Sequence, residues 1–137
     1  MASFDEESLG GERSVPEHAL HSACPIAQAL DILGDRWSLL VLRDLLVKSP
    51  RRFGDFLNSP EGISTNILTE RLKRLEANTM IEKRPYQNNP PRYEYHPTKK
   101  ARDLGPTLTE LVKWGNKYIE GTFVPPRDIL LKASKRK

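Results

Sequence analysis

A chain of 137 residues with 37% hydrophobic and 29% charged side chains has the make-up of one water-soluble globular domain with a modest core. It holds no apolar run near the ~20 residues of a membrane span and no basic segment followed by an apolar one, and its single Cys24 excludes an intrachain disulfide framework, so the expected location is the cytoplasm. The net charge of +4 is unevenly divided: residues 1–22 carry five carboxylates against Arg13, a charge of −4, which leaves +8 on the rest, a basic body suited to a polyanionic partner.

Residues 1–22, with Gly10-Gly11, Pro16 and little apolar periodicity, read as a flexible acidic leader. His18, His21 and Cys24 form an H-x2-H-x2-C series, but three ligands without a second cluster do not make a structural zinc site, and no metal is expected. From Pro25, which suits the first helical position, Ile26, Ala29, Leu30 and Leu33 recur at helical spacing up to a stop at Gly34. A second helix, from about Asp35 or Arg36 to Leu46, is apolar on most sides and is expected at the centre of the domain. After the break at Lys48-Ser49-Pro50, residues 51–57 offer a short helix with Phe53, Phe56 and Leu57 inward.

The stretch 62–76 organises the rest. Ser64 is the natural N-cap, Ile63 can staple onto Leu68, and Leu68, Leu72 and Leu75 form one apolar stripe. Asn66, Thr69, Glu70, Lys73 and Arg74 then face outward, and amide, hydroxyl and cationic groups near a helix start are what a DNA-reading helix presents to a major groove. With the short helix before it, this makes a helix-turn-helix with a lengthened turn. Two strands, Ile81–Tyr86 and Arg92–His96, flank Gln87–Pro91; a polar hairpin directly after a reading helix is a wing. Thr98 can cap a last helix that is interrupted at Gly105-Pro106 and runs to about Glu120. Its stripe of Leu108, Leu111, Val112, Gly115, Tyr118 and Ile119 has no obvious partner in a core already completed by the wing, so it is expected to be a subunit interface. Residues 122–137 end in Lys132, Lys135, Arg136 and Lys137, expected to be a flexible basic tail with non-specific affinity for DNA.

The ordered set Cys24-Pro25, Gly34-Asp35-Arg36-Trp37, Leu42-Arg43-Asp44-Leu45, Arg52-Phe53, Gly62-Ile63-Ser64, Leu68 to Glu76 and Pro90 to Tyr95 resembles the HxlR-type family of bacterial and archaeal winged helix-turn-helix transcription regulators, relatives of the MarR group. The resemblance spans about residues 24–121 and implies a mainly helical domain with a β-hairpin wing, dimerising through terminal helices. It implies a homodimer on an inverted repeat of double-stranded DNA, its half-sites roughly 34–36 Å apart.

Carried over by position, Ser64, Thr65, Asn66 and Thr69 are the base-reading candidates. Arg71, Lys73 and Arg74 would meet phosphates or base edges, with an internal salt bridge as the alternative role for Arg71. In the wing Arg92, Asn88 and Asn89 are the contact candidates, and Arg51 and Arg52 would hold the DNA backbone. The chain departs from the family's pattern at Thr79, where Gly is common, so that Asn78 is expected to take the left-handed C-cap conformation, and at Pro97.

Cys24 occupies the position at which family members that sense oxidants or electrophiles carry their reactive thiol; the alternative is an unreactive helix-start residue. No phosphate-cradling loop, H-E-x-x-H helix or nucleophile elbow is present, so neither an enzyme nor a cofactor is expected. Two other readings stay open. One is a regulator answering a small-molecule inducer held between the last helix and the Trp37 helix; the other is a winged-helix protein-interaction scaffold that does not read DNA.

Overall fold

A computed structural model describes residues 22–126 and 129–130 of the chain. The leader up to His21 and the basic end from residue 131, with the expectations attached to them, lie outside the described residues.

Pro25 in the first turn and Gly34 at the stop bound α1 (Pro25–Leu33), and Cys24 is its N-cap residue. At Gly34 a Cβ would lie 2.4 Å from the Leu30 carbonyl oxygen, so only glycine lets the chain turn there without displacing backbone. Helix α2 (Ser38–Val47) begins later than its apolar pattern suggests. The carboxylate of Asp35 accepts the N–H groups of Trp37 (3.0 Å) and Ser38 (3.1 Å), which makes residues 35–37 a turn ahead of the helix. Val41, Leu42 and Leu45 of α2 enter the main core, as expected of a helix apolar on most sides.

A short α3 (Phe53–Leu57) follows, its Phe56 fully buried. Gly62, at φ 74, takes the left-handed conformation needed to turn into α4 (Thr65–Ala77). Ser64 caps α4, its hydroxyl accepting the Ile67 N–H at 3.2 Å, and Leu68, Leu72 and Leu75 are the buried stripe. Ile63 and Leu68 lie in the same cluster, in keeping with the staple.

The hairpin is longer than its periodicity indicates, with β1 (Ile81–Asn88) antiparallel to β2 (Pro91–Pro97) and only Asn89 and Pro90 left to turn. A bulge between Pro85 and Gln87 absorbs the irregularity that Pro85 brings, although Pro85 itself stays in register opposite Tyr93. On the other edge of β2, Arg51 exchanges backbone bonds with Tyr95 (3.1 and 2.7 Å), tying the wing to the start of the helix-turn-helix. Tyr95 packs edge-on against Phe56, ring centroids 6.1 Å apart.

Thr98 caps α5 (Lys99–Arg102), and the chain turns through residues 103–104 into α6 (Gly105–Tyr118). Here the structure departs from the expected unpartnered stripe. Leu108 is buried to 6% exposure in a second small core with Leu46, and Val112 packs beside it. The reason lies in α2: apolar all round, it leaves Leu46 on the side away from the main core, and that side needs its own cover. Leu130, from the segment read as a tail, completes this cover at 5% exposure.

Candidate nucleic-acid interface

The apolar stripe of α4 turns the opposite face to solvent. Ser64, Thr65, Asn66, Thr69 and Lys73 are all exposed, and so is Glu70. Among the described residues the amide of Asn66 has no hydrogen-bond partner, whereas Thr69 Oγ1 donates back to the Thr65 carbonyl at 2.8 Å. Asn66 therefore keeps its full donor and acceptor set for a partner.

Arg71 and Arg74 are placed differently from the rest of the set. Arg71 Nε donates to Asp35 Oδ2 at 2.6 Å and Arg74 Nη2 donates to Asp35 Oδ1 at 2.5 Å; Arg71 also pairs with Glu70. Both arginines are half-buried, and Arg74 Nη2 lies 3.3 Å from the fully buried Ser38 hydroxyl. Burial by itself would raise the Asp35 pKa. The hydrogen bonds from Ser38, Arg71 and the Trp37 and Ser38 N–H groups outweigh it and hold the carboxyl well below the usual carboxylate range. The internal salt bridge, the alternative role for Arg71, is thus present, and Arg74 shares it.

Arg51 is likewise committed inside the chain. Its Nε donates to the Asp44 carbonyl (2.7 Å) and the Lys48 carbonyl (3.1 Å), satisfying the C-terminal end of α2. Arg52, by contrast, is exposed and stacks its guanidinium 3.8 Å from the centroid of the Tyr86 ring. In the wing Asn88, Asn89 and Arg92 are all exposed, at or next to the tip.

Two residues outside the sequence-derived set join this surface. Lys83 lies 4.5 Å from the Tyr93 ring centroid, and Tyr86 carries Arg52. Together with Phe53, Arg92 and their neighbours they line a groove of about 490 Å³ between α3 and the wing. Strand alternation alone could have put Lys83 and Pro85 on one side of β1; that this side meets α3 depends on the hairpin's docking. Among the described residues, Arg52, Lys73, Lys83 and Arg92 are not paired with any carboxylate. Four cations without counter-ions on exposed α3, α4 and wing positions can bind a polyanion without first breaking an ion pair.

The turn ahead of α4 is held by a separate ion pair. Arg43 grips Glu61 through two bonds of 2.8 Å and also bonds Asp44. The Arg43 bond holds the Glu61 carboxyl below its ordinary value. This bidentate pair fixes the connection between α3 and α4 to the central helix.

Much of the remaining apolar surface is on and just after the terminal helices. Leu111, Trp114 and Tyr118 of α6 and Ile119 at its end are exposed, as are Ile26 and Leu30 of α1 and Phe123 and Val124 beyond α6, while Gly115 is half-buried. Trp114, Ile26 and Leu30 are not among the residues named for the interface expected on the terminal helices. The Trp114 and Tyr118 rings lie side by side, tilted at 49° with centroids 5.4 Å apart, and so form one continuous aromatic patch.

Cys24 is half-buried; its N–H donates to Ser22 Oγ at 3.0 Å. Beside Trp37 a cavity of about 10 Å³, room for no more than a water molecule, lies between α2, Phe56 of α3 and the turn before α4; no residue of α6 lines it, so it is not the site expected between the last helix and the Trp37 helix. Among the described residues no helix is long and apolar enough to cross a membrane.

Comparison with known proteins agrees with this architecture. Residues 32–123 match the family described as HxlR-like helix-turn-helix. An HTH-type transcriptional regulator of Synechocystis sp. is 41% identical over 97 residues, 71% of each chain. Against longer mycobacterial regulators the chain spans 63% of their length. Among solved structures, the reduced transcriptional regulator YodB from B. subtilis superposes with a TM-score of 0.61 at 30% identity, covering 74% of this chain and all of that one. The redox regulator HypR in its reduced form gives a TM-score of 0.65 at 27% identity, covering 71% of this chain and 95% of that one. A winged helix-turn-helix whose central helix, recognition helix and wing all fall within the matched residues belongs to the HxlR-like family of HTH-type transcriptional regulators.

Proposed function

We propose that this regulator acts in the cytoplasm as a homodimer that binds an inverted repeat in double-stranded DNA. The observation that carries the reading is the outer face of α4, where Ser64, Thr65, Asn66, Thr69 and Lys73 are exposed while three buried leucines anchor the other side. Asn66, with Ser64, Thr65 and Thr69 around it, reads base edges. Lys73, Arg52 and Arg92 neutralise phosphates, and Asn88 and Asn89 add polar contacts from the wing. Arg51, Arg71 and Arg74 serve this surface by holding its elements in place, each through bonds inside the chain.

The second subunit covers the exposed Leu111, Trp114 and Tyr118 of α6 and Ile119 at its end, with Ile26 and Leu30 of α1. Single exposed apolar residues are common, but six large ones on two terminal helices are a liability unless covered.

A thiol switch is the form of control that the relatives favour. YodB has been solved reduced and quinone-bound, and HypR reduced and oxidised. Cys24 is the N-cap residue of α1, next to the proposed dimer surface, and as the only cysteine in its chain it can form a disulfide only between subunits or with another thiol, or be alkylated by an electrophile. Disulfide formation joins two Cys24 sulfurs and passes two electrons and two protons to the oxidant.

The test is anisotropy titration of labelled duplexes recovered from a random-sequence library, against a scrambled duplex, at two salt concentrations and before and after diamide treatment. Recovery of a two-fold sequence, preferred over the scrambled one, is the expected result. Loss of that preference with diamide, with retention in Cys24→Ser, supports the thiol switch. Retention in both proteins moves the control to a small inducer, and failure to enrich any sequence leaves the protein-interaction scaffold.

A further inference from the structure

One carboxylate gathers two cations from the recognition helix, and its place in the chain gives that contact a purpose. Asp35 lies between α1 and α2. Its two oxygens receive five donors: the N–H groups of Trp37 and Ser38, the Ser38 hydroxyl at 2.5 Å, Arg71 Nε and Arg74 Nη2. The first three fix the carboxylate rigidly at the start of the central helix. The other two come from α4 positions three apart, so they lie on one side of that helix, beside the leucine stripe.

The geometry matters because of what the leucines leave undetermined. Leu68, Leu72 and Leu75 fix how deep α4 sits, but apolar packing is non-directional and tolerates small rotations about the helix axis. A rotation of that kind moves exposed side chains most, and base readout depends on hydrogen bonds with narrow distance and angle limits. Two charge-assisted bonds to a fixed carboxylate resist it directionally. The network is not an ordinary surface pair, since Ser38 is fully buried and Asp35, Arg71 and Arg74 are all partly so.

We infer that Asp35 is a specificity-determining positioning residue: through Arg71 and Arg74 it sets the rotation of the recognition helix, and with it the aim of Asn66. This rests on the DNA-reading role proposed for α4. It also places the adjustable joint next to α1, because Gly34 alone separates Asp35 from that helix, and the Gly34 N–H is bonded to the Leu30 carbonyl at 2.7 Å.

The experiment compares Asp35→Asn with Leu46→Ala, using the duplex of highest affinity recovered by the unaltered protein and a scrambled duplex of equal length. Leu46 is buried in the second small core and gives no group to the Asp35 network, so Leu46→Ala controls for loss of stability alone. Asp35→Asn should weaken the selected duplex by about tenfold or more, the loss expected when one bidentate base contact goes out of register, while affinity for the scrambled duplex stays level or rises. Leu46→Ala, at a similar or larger fall in melting temperature, should leave the ratio of the two affinities unchanged. In an Arg71→Met, Arg74→Met background, Asp35→Asn should cost little further discrimination.

Equal loss on both duplexes would reduce Asp35 to a structural residue and overturn the inference. So would a gain on both, which would make Arg71 and Arg74 phosphate contacts that Asp35 restrains. If the unaltered protein enriches no duplex, it is the DNA-reading role of α4 that fails; if it does enrich one and Asp35→Asn still discriminates normally, the positioning role fails alone.

Discussion

The Met80 N–H reaches back 2.9 Å to the Leu75 carbonyl and closes the recognition helix. The Thr79 N–H bonds the Glu76 carbonyl at 3.0 Å, and the two bonds together make a Schellman motif with Thr79 at φ 58. The left-handed residue is therefore Thr79; Asn78, expected in that role, sits at φ −90. A β-branched side chain is strained there, and it is retained by bonds to the start of α5: Thr98 Oγ1 donates to the Thr79 carbonyl at 2.7 Å and Lys100 Nζ to the Asn78 carbonyl at 2.8 Å. The buried pair of Leu75 and Met80 also depends on this closure.

Thr79→Gly should accordingly stabilise the fold. Relief of the left-handed strain outweighs the added chain entropy of glycine, for a net gain of about 0.5–1 kcal/mol, read as a rise of a few degrees in melting temperature by calorimetry. A fall in melting temperature would mean that the Thr79 hydroxyl contributes more than the strain costs.

Asn66 and Lys73 should separate readout from attraction. Asn66→Ala is expected to weaken binding to the selected duplex by about 1–3 kcal/mol while leaving a scrambled duplex nearly untouched. Lys73→Ala should weaken both about equally and lower the dependence of log affinity on log salt by about one unit. Equal losses at the two positions, measured by anisotropy over a salt series, would remove the base-reading assignment of Asn66.

The α6 stripe should divide under mutation as it divides in burial. Leu108→Ala removes a side chain packed near Leu46 and Leu130 and should cost about 2–5 kcal/mol of fold stability, by denaturant titration. Leu111→Glu and Trp114→Glu change residues at 49% and 59% exposure, so each should leave the fold intact and shift sedimentation from dimer to monomer. Dimers unaffected by both charges would place the interface elsewhere.

Acid should expose the contribution of Asp35. Its folded-state pKa lies below the unfolded value of about 3.9, so its stabilisation is present above that pH and is lost as pH falls through the folded value. Asp35→Asn should therefore melt below the unaltered protein at neutral pH, with the gap narrowing as pH drops below about 4. A gap that stays constant down to pH ~2 would show that the charge of Asp35 does not contribute. Thermal melts of both proteins across that range decide it.

Read alone, the sequence determined the parts that local chemistry specifies. The cap at Ser64, the Leu68-Leu72-Leu75 stripe, the Pro25 start and Gly34 stop of α1, and the Thr98 cap each follow from propensity and periodicity within a few residues, and each stands in the structure. The free face of α4 was legible for the same reason, since a buried stripe dictates which residues remain outside. What only the tertiary structure decided is how side chains distant in sequence share partners. Arg74 looks like an outward contact on a helical wheel, and for Arg71 the sequence leaves a DNA contact and an internal salt bridge both open; the two become internal ties because Asp35, 36 and 39 residues earlier, meets them across the fold. Leu108 looks unpartnered until Leu46 and Leu130 reach it, and Lys83 and Tyr86 enter the groove only because the hairpin docks beside α3. Periodicity reports which face of an element is apolar; it carries no information about which charged group or which leucine another element will bring to that face.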